Sequence, residues 1–367
     1  MPQKKQLRVI LDSGAYTAYH QNVKIDVEEY AEFLKKHSDL FLGGCINLDV
    51  ILDAEASYRN WEILRSKGVD TIPVYHMSTD EKWLEKYMQQ TDYICIGAIA
   101  ELSVMQRTSG LSYLFKKYLL DSKGVPKIRT HGLGVTAASM ITRFPWYSVD
   151  SASAVKTSAF GNVLTPRIRN IERKKDGTLT YTYDIGKLDP LFVSDRYPER
   201  LRTGNASFFS LPPMVKEAYR DFFLQRGYYI CEDAAIEPPP VKRVHAKRRK
   251  EMEESGVPLW KLPSLLEEET VVEAEDSKEE YYANSLSRSW ESRLEYSLDI
   301  FKEFTEKYAT PIVYQVATTT QHMDLMFERG LPILLSYYAL KEKKGSLFER
   351  LLTLTKEHTN RKGEQQA

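Results

Sequence analysis

The sequence predicts an α/β fold, closed as a (β/α)8 TIM-like barrel with a long insertion after strand six. Three observations carry this. Short apolar runs alternate with amphipathic helical segments through the first 150 residues; the runs are apolar on both faces, as strands covered by helices must be; and two more helix-and-run pairs follow a long polar stretch. A doubly wound open sheet shares this alternation, because sequence does not encode closure.

The first six strand candidates are 7–12, 44–49, 71–76, 93–99, 127–133 and 146–150, each a short run rich in Val, Ile and Tyr. Between them lie helical patterns such as 27–36, where Val27, Tyr30, Phe33 and Leu34 form one apolar face. Parallel neighbours need such crossovers. From about residue 156 the rhythm breaks: 178–183 after Asp176-Gly177 reads as a hairpin arm, and 213–227 as a helix. A triple proline at 238–240, a basic run at 242–250 and an acidic segment at 267–280 then make a polar, strand-poor region. A helix with Leu294, Leu298, Phe301, Phe304 and Tyr308 on its apolar positions precedes the strand candidate 311–317, and another helical stretch precedes 332–338. Together these make eight strands, the number that closes the barrel. The predicted organisation is residues 1–155 as the first six βα units, 156–285 as the insertion, and 286–367 as the last two units with a C-terminal helix.

At 367 residues and 42% hydrophobic, the chain can bury the core of one large barrel or of two ordinary domains. The formal net charge is zero, so a polyanion must be held by a local patch rather than by a global field. Three cysteines, Cys45, Cys95 and Cys231, without CxxC spacing, argue against a disulfide framework and a four-cysteine zinc site, and fit a reducing cytoplasm. No apolar run approaches the roughly 20 residues that span a bilayer, and the N-terminus lacks a secretion signal, so no membrane partner is expected.

Three carboxylates end apolar runs: Asp12 in Val9-Ile-Leu-Asp12-Ser13-Gly14, Asp49 in Cys45-Ile-Asn-Leu-Asp49, and Asp150 in Ser148-Val-Asp150. In a parallel barrel those strand ends converge on one rim, where carboxylates serve catalysis more often than structure. The structural alternatives are a helix cap by Asp12 or Ser13, and a cap by Asp49 for the helix starting near Ala54. Gly14 lets backbone approach a planar ligand closely. His76 and His131 also end apolar runs, as ligand contacts or as hydrogen-bonded structural residues; no HxxxH or HxH spacing supports a metal site, so a metal-dependent barrel hydrolase is a secondary reading. Gly97 and Ala98 leave room for a flat base or for a packed helix. Gly132 and Gly134 form only a GxG, too short for a dinucleotide fingerprint. Lys242, Arg243, Lys247, Arg248, Arg249 and Lys250 are candidate phosphate contacts, or a solvated loop balanced by the acidic segment downstream. A non-catalytic nucleic-acid-binding protein built on that run is a third reading.

In order and context, Asp12-Ser-Gly-Ala-Tyr16, Asp49, Gly97-Ala98-Ile99, His131-Gly132-Leu-Gly and Ser148-Val-Asp150 resemble the motifs of the tRNA-guanine transglycosylase superfamily. The resemblance is strongest to its phage and bacterial DNA-modifying branch, the DNA-guanine transglycosylases (DpdA), and covers roughly residues 7–170. The chain departs from the tRNA enzymes in lacking a CxCxxC zinc motif, in carrying Ala98 for the second glycine of an isoleucine-glycine-glycine strand, and in placing Tyr75 or His76 near the position of a base-reading glutamine.

The resemblance implies exchange of guanine in a nucleic acid, duplex DNA by its nearest branch and tRNA as the alternative, for a free 7-deazaguanine such as 7-cyano-7-deazaguanine. It implies Asp150 as nucleophile, Asp12 as proton donor and acceptor, and Asp49 as reader of the guanine N1–H and amino edge. Ser13, Gly14, Tyr16, His76, Gly97, Ala98, Ile99, His131 and Gly132 would line the base site, with Tyr16 stacking on the base. Neither metal nor cofactor enters this chemistry, and the setting would be the cytoplasm of a bacterial or phage-infected cell.

Overall fold

A computed structural model describes residues 7–97, 102–195, 207–231, 284–342 and 345–364. The strands of its main sheet are β1 (Val9–Asp12), β2 (Gly44–Cys45), β3 (Val74–His76), β4 (Tyr93–Gly97), β5 (Arg129–Gly132) and β6 (Ser148–Ser151), followed far along the chain by β11 (Ile312–Val316) and β12 (Ile333–Ser336). All eight pair in parallel, in the order β2-β1-β12-β11-β6-β5-β4-β3. The two edges are also linked. Ile72 N donates to Cys45 O at 2.8 Å and Asn47 N to Ile72 O at 2.9 Å, making a parallel bridge between Ile46 and Ile72. The result is a curled parallel sheet consistent with a TIM-like α/β fold.

The strands alternate two buried faces. Ile10, Ile46, Ile72, Val74, Tyr93, Cys95, Tyr314 and Leu334 pack together as one core cluster, while Leu11, Ile94, Ile96, Val149 and Leu335, also buried, occupy the alternate positions. On β1 the residue two beyond Ile10 is Asp12, and on β3 the residue two beyond Val74 is His76. On β4, Gly97 follows Cys95 by the same step. The inner face therefore changes from apolar to polar or empty at the carboxyl ends of the strands. That change positions the site.

The helices form for local reasons. In α2 (Val27–His37) Asp26 caps the N-terminus, its carboxylate accepting from Glu28 N at 2.7 Å; Tyr30, Ala31 and Leu34 are buried, and Lys35, Lys36 and His37 complement the negative end. In α3 (Ala54–Ser66) the cap is Asp53, which accepts from Ala56 N at 2.9 Å. The cap expected of Asp49 thus belongs to Asp53, and Asp49 is left for other work. Segment 44–49 is a shorter strand than its pattern predicts: beyond Ile46 the chain leaves the ladder, Asn47 Nδ2 donating to Ser57 O at 3.0 Å and Asp49 N to Asn47 O at 3.0 Å.

The chain divides into two compact units, residues 1–152 with 305–367, and residues 153–304. The second holds helix Ser153–Ala159, the antiparallel pair β7 (Asn162–Pro166) and β10 (Leu188–Phe192), the hairpin β8 (Arg169–Arg173) and β9 (Leu179–Thr182), helix Pro213–Leu224 and most of helix Trp290–Tyr308. Its core is aromatic, with Phe208, Phe222, Phe223 and Tyr296 fully buried. The buried Arg293 is satisfied by the carbonyls of Ser158 and Leu286, both at 3.0 Å. The hairpin arm is the one predicted after Asp176-Gly177, whereas β7 and β10 lie where no strands were predicted. Among the described residues no helix is long and apolar enough to cross a membrane.

Candidate active site

Asp12 ends β1, and the chain then turns through Gly14, at φ 81°, into the short helix α1 (Ala15–His20). Gly14 is required twice over: that φ is left-handed, and a Cβ there would collide with the side chains of Ser336 and Tyr338. Its N–H donates to Asp12 Oδ2 at 3.1 Å, and Ala15 N donates to the fully buried Ser13 Oγ at 3.3 Å. Asp12 and Ser13 hold the turn in this way, but the N-cap residue itself is Gly14 and has no side chain to cap with.

Burial raises the Asp12 carboxyl to about 7, and the charges of Asp49 and Asp150 add to the effect. The same three carboxylates act on the buried Cys95 thiol, pushed well above its ordinary range first by burial and then by Asp12, Asp49 and Asp150. Cys95 lies on the inner face of β4. The three aspartates predicted from separate strand ends therefore share one electrostatic neighbourhood beyond the core cluster of the sheet.

Asp49 accepts from His76, with Oδ2 at 2.9 Å from Nε2, and both residues are buried. A carboxylate can only accept, so the ring nitrogen facing it carries hydrogen. Gly97 is needed here by close approach, because a Cβ would stand 2.7 Å from His76 Cδ2. Asp150 Oδ1 accepts from Gly134 N at 2.8 Å and faces His131 Nε2 at 3.3 Å. His131 Nδ1 faces Ser148 Oγ at 2.6 Å, and Ser148 Oγ faces Tyr93 OH at 2.6 Å. No partner is present for Asp150 Oδ2 among the described residues. Gly132 closes β5 beside Val135 and Trp146, where a Cβ would lie 2.6 Å from Val135 Cγ2.

The structure thus brings Asp12, Asp49, His76, His131 and Asp150 to one end of the sheet, with Ser13, Gly14, Gly97 and Gly132 around them. Tyr16 is on α1, half exposed, its ring edge-on to His20 at 4.4 Å. Ala98 and Ile99 lie outside the described residues, as do Lys242, Arg243, Lys247, Arg248, Arg249 and Lys250. Three contributors were not foreseen: the Gly134 N–H, Ser148 and Tyr93. Ser148 was findable, since it precedes Asp150 by two on the same strand and so shares its face. Among the described residues, no group of three or more His, Cys, Asp or Glu is arranged to hold a metal ion.

Such a site can present a carboxylate nucleophile, hold a proton on a second carboxyl near neutrality, and accept hydrogen bonds from a donor edge through a third. Comparison with family models, with curated proteins and with solved structures finds no match.

Proposed function

We propose that the protein is a base-exchange glycosyltransferase that replaces guanine in DNA with a 7-deazaguanine, acting from a closed (β/α)8 barrel with an insertion, residues 156–285, after strand six. The observation that carries this reading is the division of labour between two neighbouring carboxyls. Asp12 keeps its proton up to about pH 7, while Asp150 has one oxygen tied down by Gly134 and His131 and the other unpartnered among the described residues. Carboxylates split into acid and nucleophile in this manner in retaining glycoside chemistry.

Asp150 Oδ2 attacks C1′ of the target nucleotide and the C1′–N9 bond breaks, its electron pair passing to guanine, which takes the proton of Asp12. The glycosyl–aspartyl ester then faces an incoming 7-deazaguanine. Asp12, now a carboxylate, removes the N9 proton of that base as N9 attacks C1′ and displaces Asp150. Two inversions retain configuration. Asp49, held by His76, keeps an oxygen for the N1–H and amino donors of either base; an ionised carboxylate suits that edge because it only accepts. Reaching C1′ in a duplex requires flipping the nucleotide, at a cost of a few kcal/mol.

The test is incubation with duplex DNA and labelled guanine or 7-cyano-7-deazaguanine, followed by digestion to nucleosides, with tRNA as competitor. Label in DNA that Asp150→Asn abolishes supports the assignment. Label in tRNA but not DNA moves the substrate to the anticodon loop. Asp150→Asn exchanging as fast as wild type removes the nucleophile.

A further inference from the structure

With Asp150 ionised and His131 neutral, the hydrogen bonds beneath Asp150 run in one direction. As a carboxylate, Asp150 only accepts, so His131 Nε2, 3.3 Å from Oδ1, carries a hydrogen. In the neutral imidazole the other nitrogen is then an acceptor, and Nδ1 faces Ser148 Oγ at 2.6 Å. Ser148 therefore donates to Nδ1. Its oxygen in turn accepts from Tyr93 OH at 2.6 Å. His131 and Ser148 are fully buried and Tyr93 nearly so.

We propose that Tyr93, Ser148 and His131 form a one-way hydrogen-bond relay that selects Oδ2 of Asp150 as the attacking atom. Its three bonds run from β4 through β6 and β5 back to β6, so each rests on rigid strand backbone. Cooperative polarisation along such a chain strengthens the last bond, the one to Oδ1. With Gly134 N also on Oδ1 at 2.8 Å, that oxygen is committed twice. Oδ2 is left to react. The three are positioning residues: they act through Asp150 and touch no substrate. The assignment of a reaction to the relay rests on the reading of Asp150 as the nucleophile; the direction of the relay does not.

Two measurements test it. In protein with 15N-labelled histidine, the His131 signals, identified by their absence in His131→Gln, are expected to show a neutral ring protonated on Nε2. A ring protonated on Nδ1 overturns the relay, and so does one protonated on both nitrogens. This measurement needs no activity, so it decides the relay even if the wild type incorporates no label into any polynucleotide, an outcome that sinks the proposed function instead.

In the exchange assay, losing a donor that supports the hydrogen bond to the Asp150 carboxylate is expected to cost about 10- to 100-fold. Ser148→Ala should lose that much in kcat with KM for the incoming base changed by less than about twofold, and Ser148→Thr, which keeps the hydroxyl, should recover most of it. Tyr93→Phe keeps the ring and removes only the first donor, so its loss should be smaller. A purely structural role predicts losses that follow thermal stability rather than distance along the relay, and would leave the Thr variant no better than the Ala. Ser148→Ala exchanging at the wild-type rate also overturns the proposal.

Discussion

Asp12 and Asp150 have the same side chain at the same place on their strands, and differ in what meets it. Asp12 is part-buried at the end of β1 beside two other carboxylates, and desolvation together with the charges of Asp49 and Asp150 raises it to about 7. If its proton is the one that leaves with guanine, release depends on the protonated fraction. That fraction is nearly complete well below pH 7 and falls about tenfold per unit above it. Single-turnover release of labelled guanine between pH 6 and 9 should show that falling limb, and a flat profile would remove Asp12 from the role. Asp49→Asn tests base choice separately. The amide replaces an acceptor-only group with one that also presents donors to a donor edge, so KM for the incoming base should rise about 10- to 100-fold. An unchanged KM would show that another group reads the base.

At the scale of elements, the strand-to-helix turn after β1 does two jobs, holding Asp12 through Gly14 N and passing close to β12. Gly14→Ala places a Cβ at φ 81° against Ser336 and Tyr338, so the variant should lose about 2 to 4 kcal/mol in urea unfolding through backbone strain and overpacking together. Wild-type stability would show that the turn is not constrained as described. This turn was legible in the sequence, because aspartate, glycine and the end of an apolar run stand side by side within six residues. The carboxyl ends of β3, β5 and β6 were legible because His76, His131 and Asp150 each stand at the end of an apolar run. The hydrogen bond of Asp49 to His76 was not, since 27 residues separate the partners and local pattern carries no information at that range. Nor did the pattern separate Asp49 from Asp53 as the cap of α3, because both stand shortly before Ala54. Strands β7 and β10 escaped because each contains a proline, Pro166 and Pro190, and proline demotes a run read as strand. Their mutual pairing, from Asn162 to Phe192, supplies what neither run announces alone.

At the scale of the whole molecule, three aspartates gathered at one end of the sheet oppose folding of the residues 1–152 and 305–367 that contain them. A formal net charge of zero does not relieve this, since distant lysines and arginines are screened beyond about 10 Å. The cost is expressed through Asp12. In the unfolded chain its carboxyl ionises near the ordinary value of 3.8, and in the folded protein near 7. Well below pH 4 both states are protonated and the shift costs nothing. As pH rises from about 4 to about 7 the unfolded state releases a proton that the folded state retains, so stability falls across that window and levels off above it. The upper bound is about 4 kcal/mol, from a shift of about three units. Asp12→Asn abolishes this titration while keeping the shape of the side chain. Thermal melts should therefore show the variant more stable than wild type at pH 8, with most of the advantage gone at pH 4, while base exchange is lost at both. A variant less stable than wild type at pH 8 would mean that Asp12 is ionised in the folded protein and compensated there, and the acid of the reaction would have to be sought elsewhere.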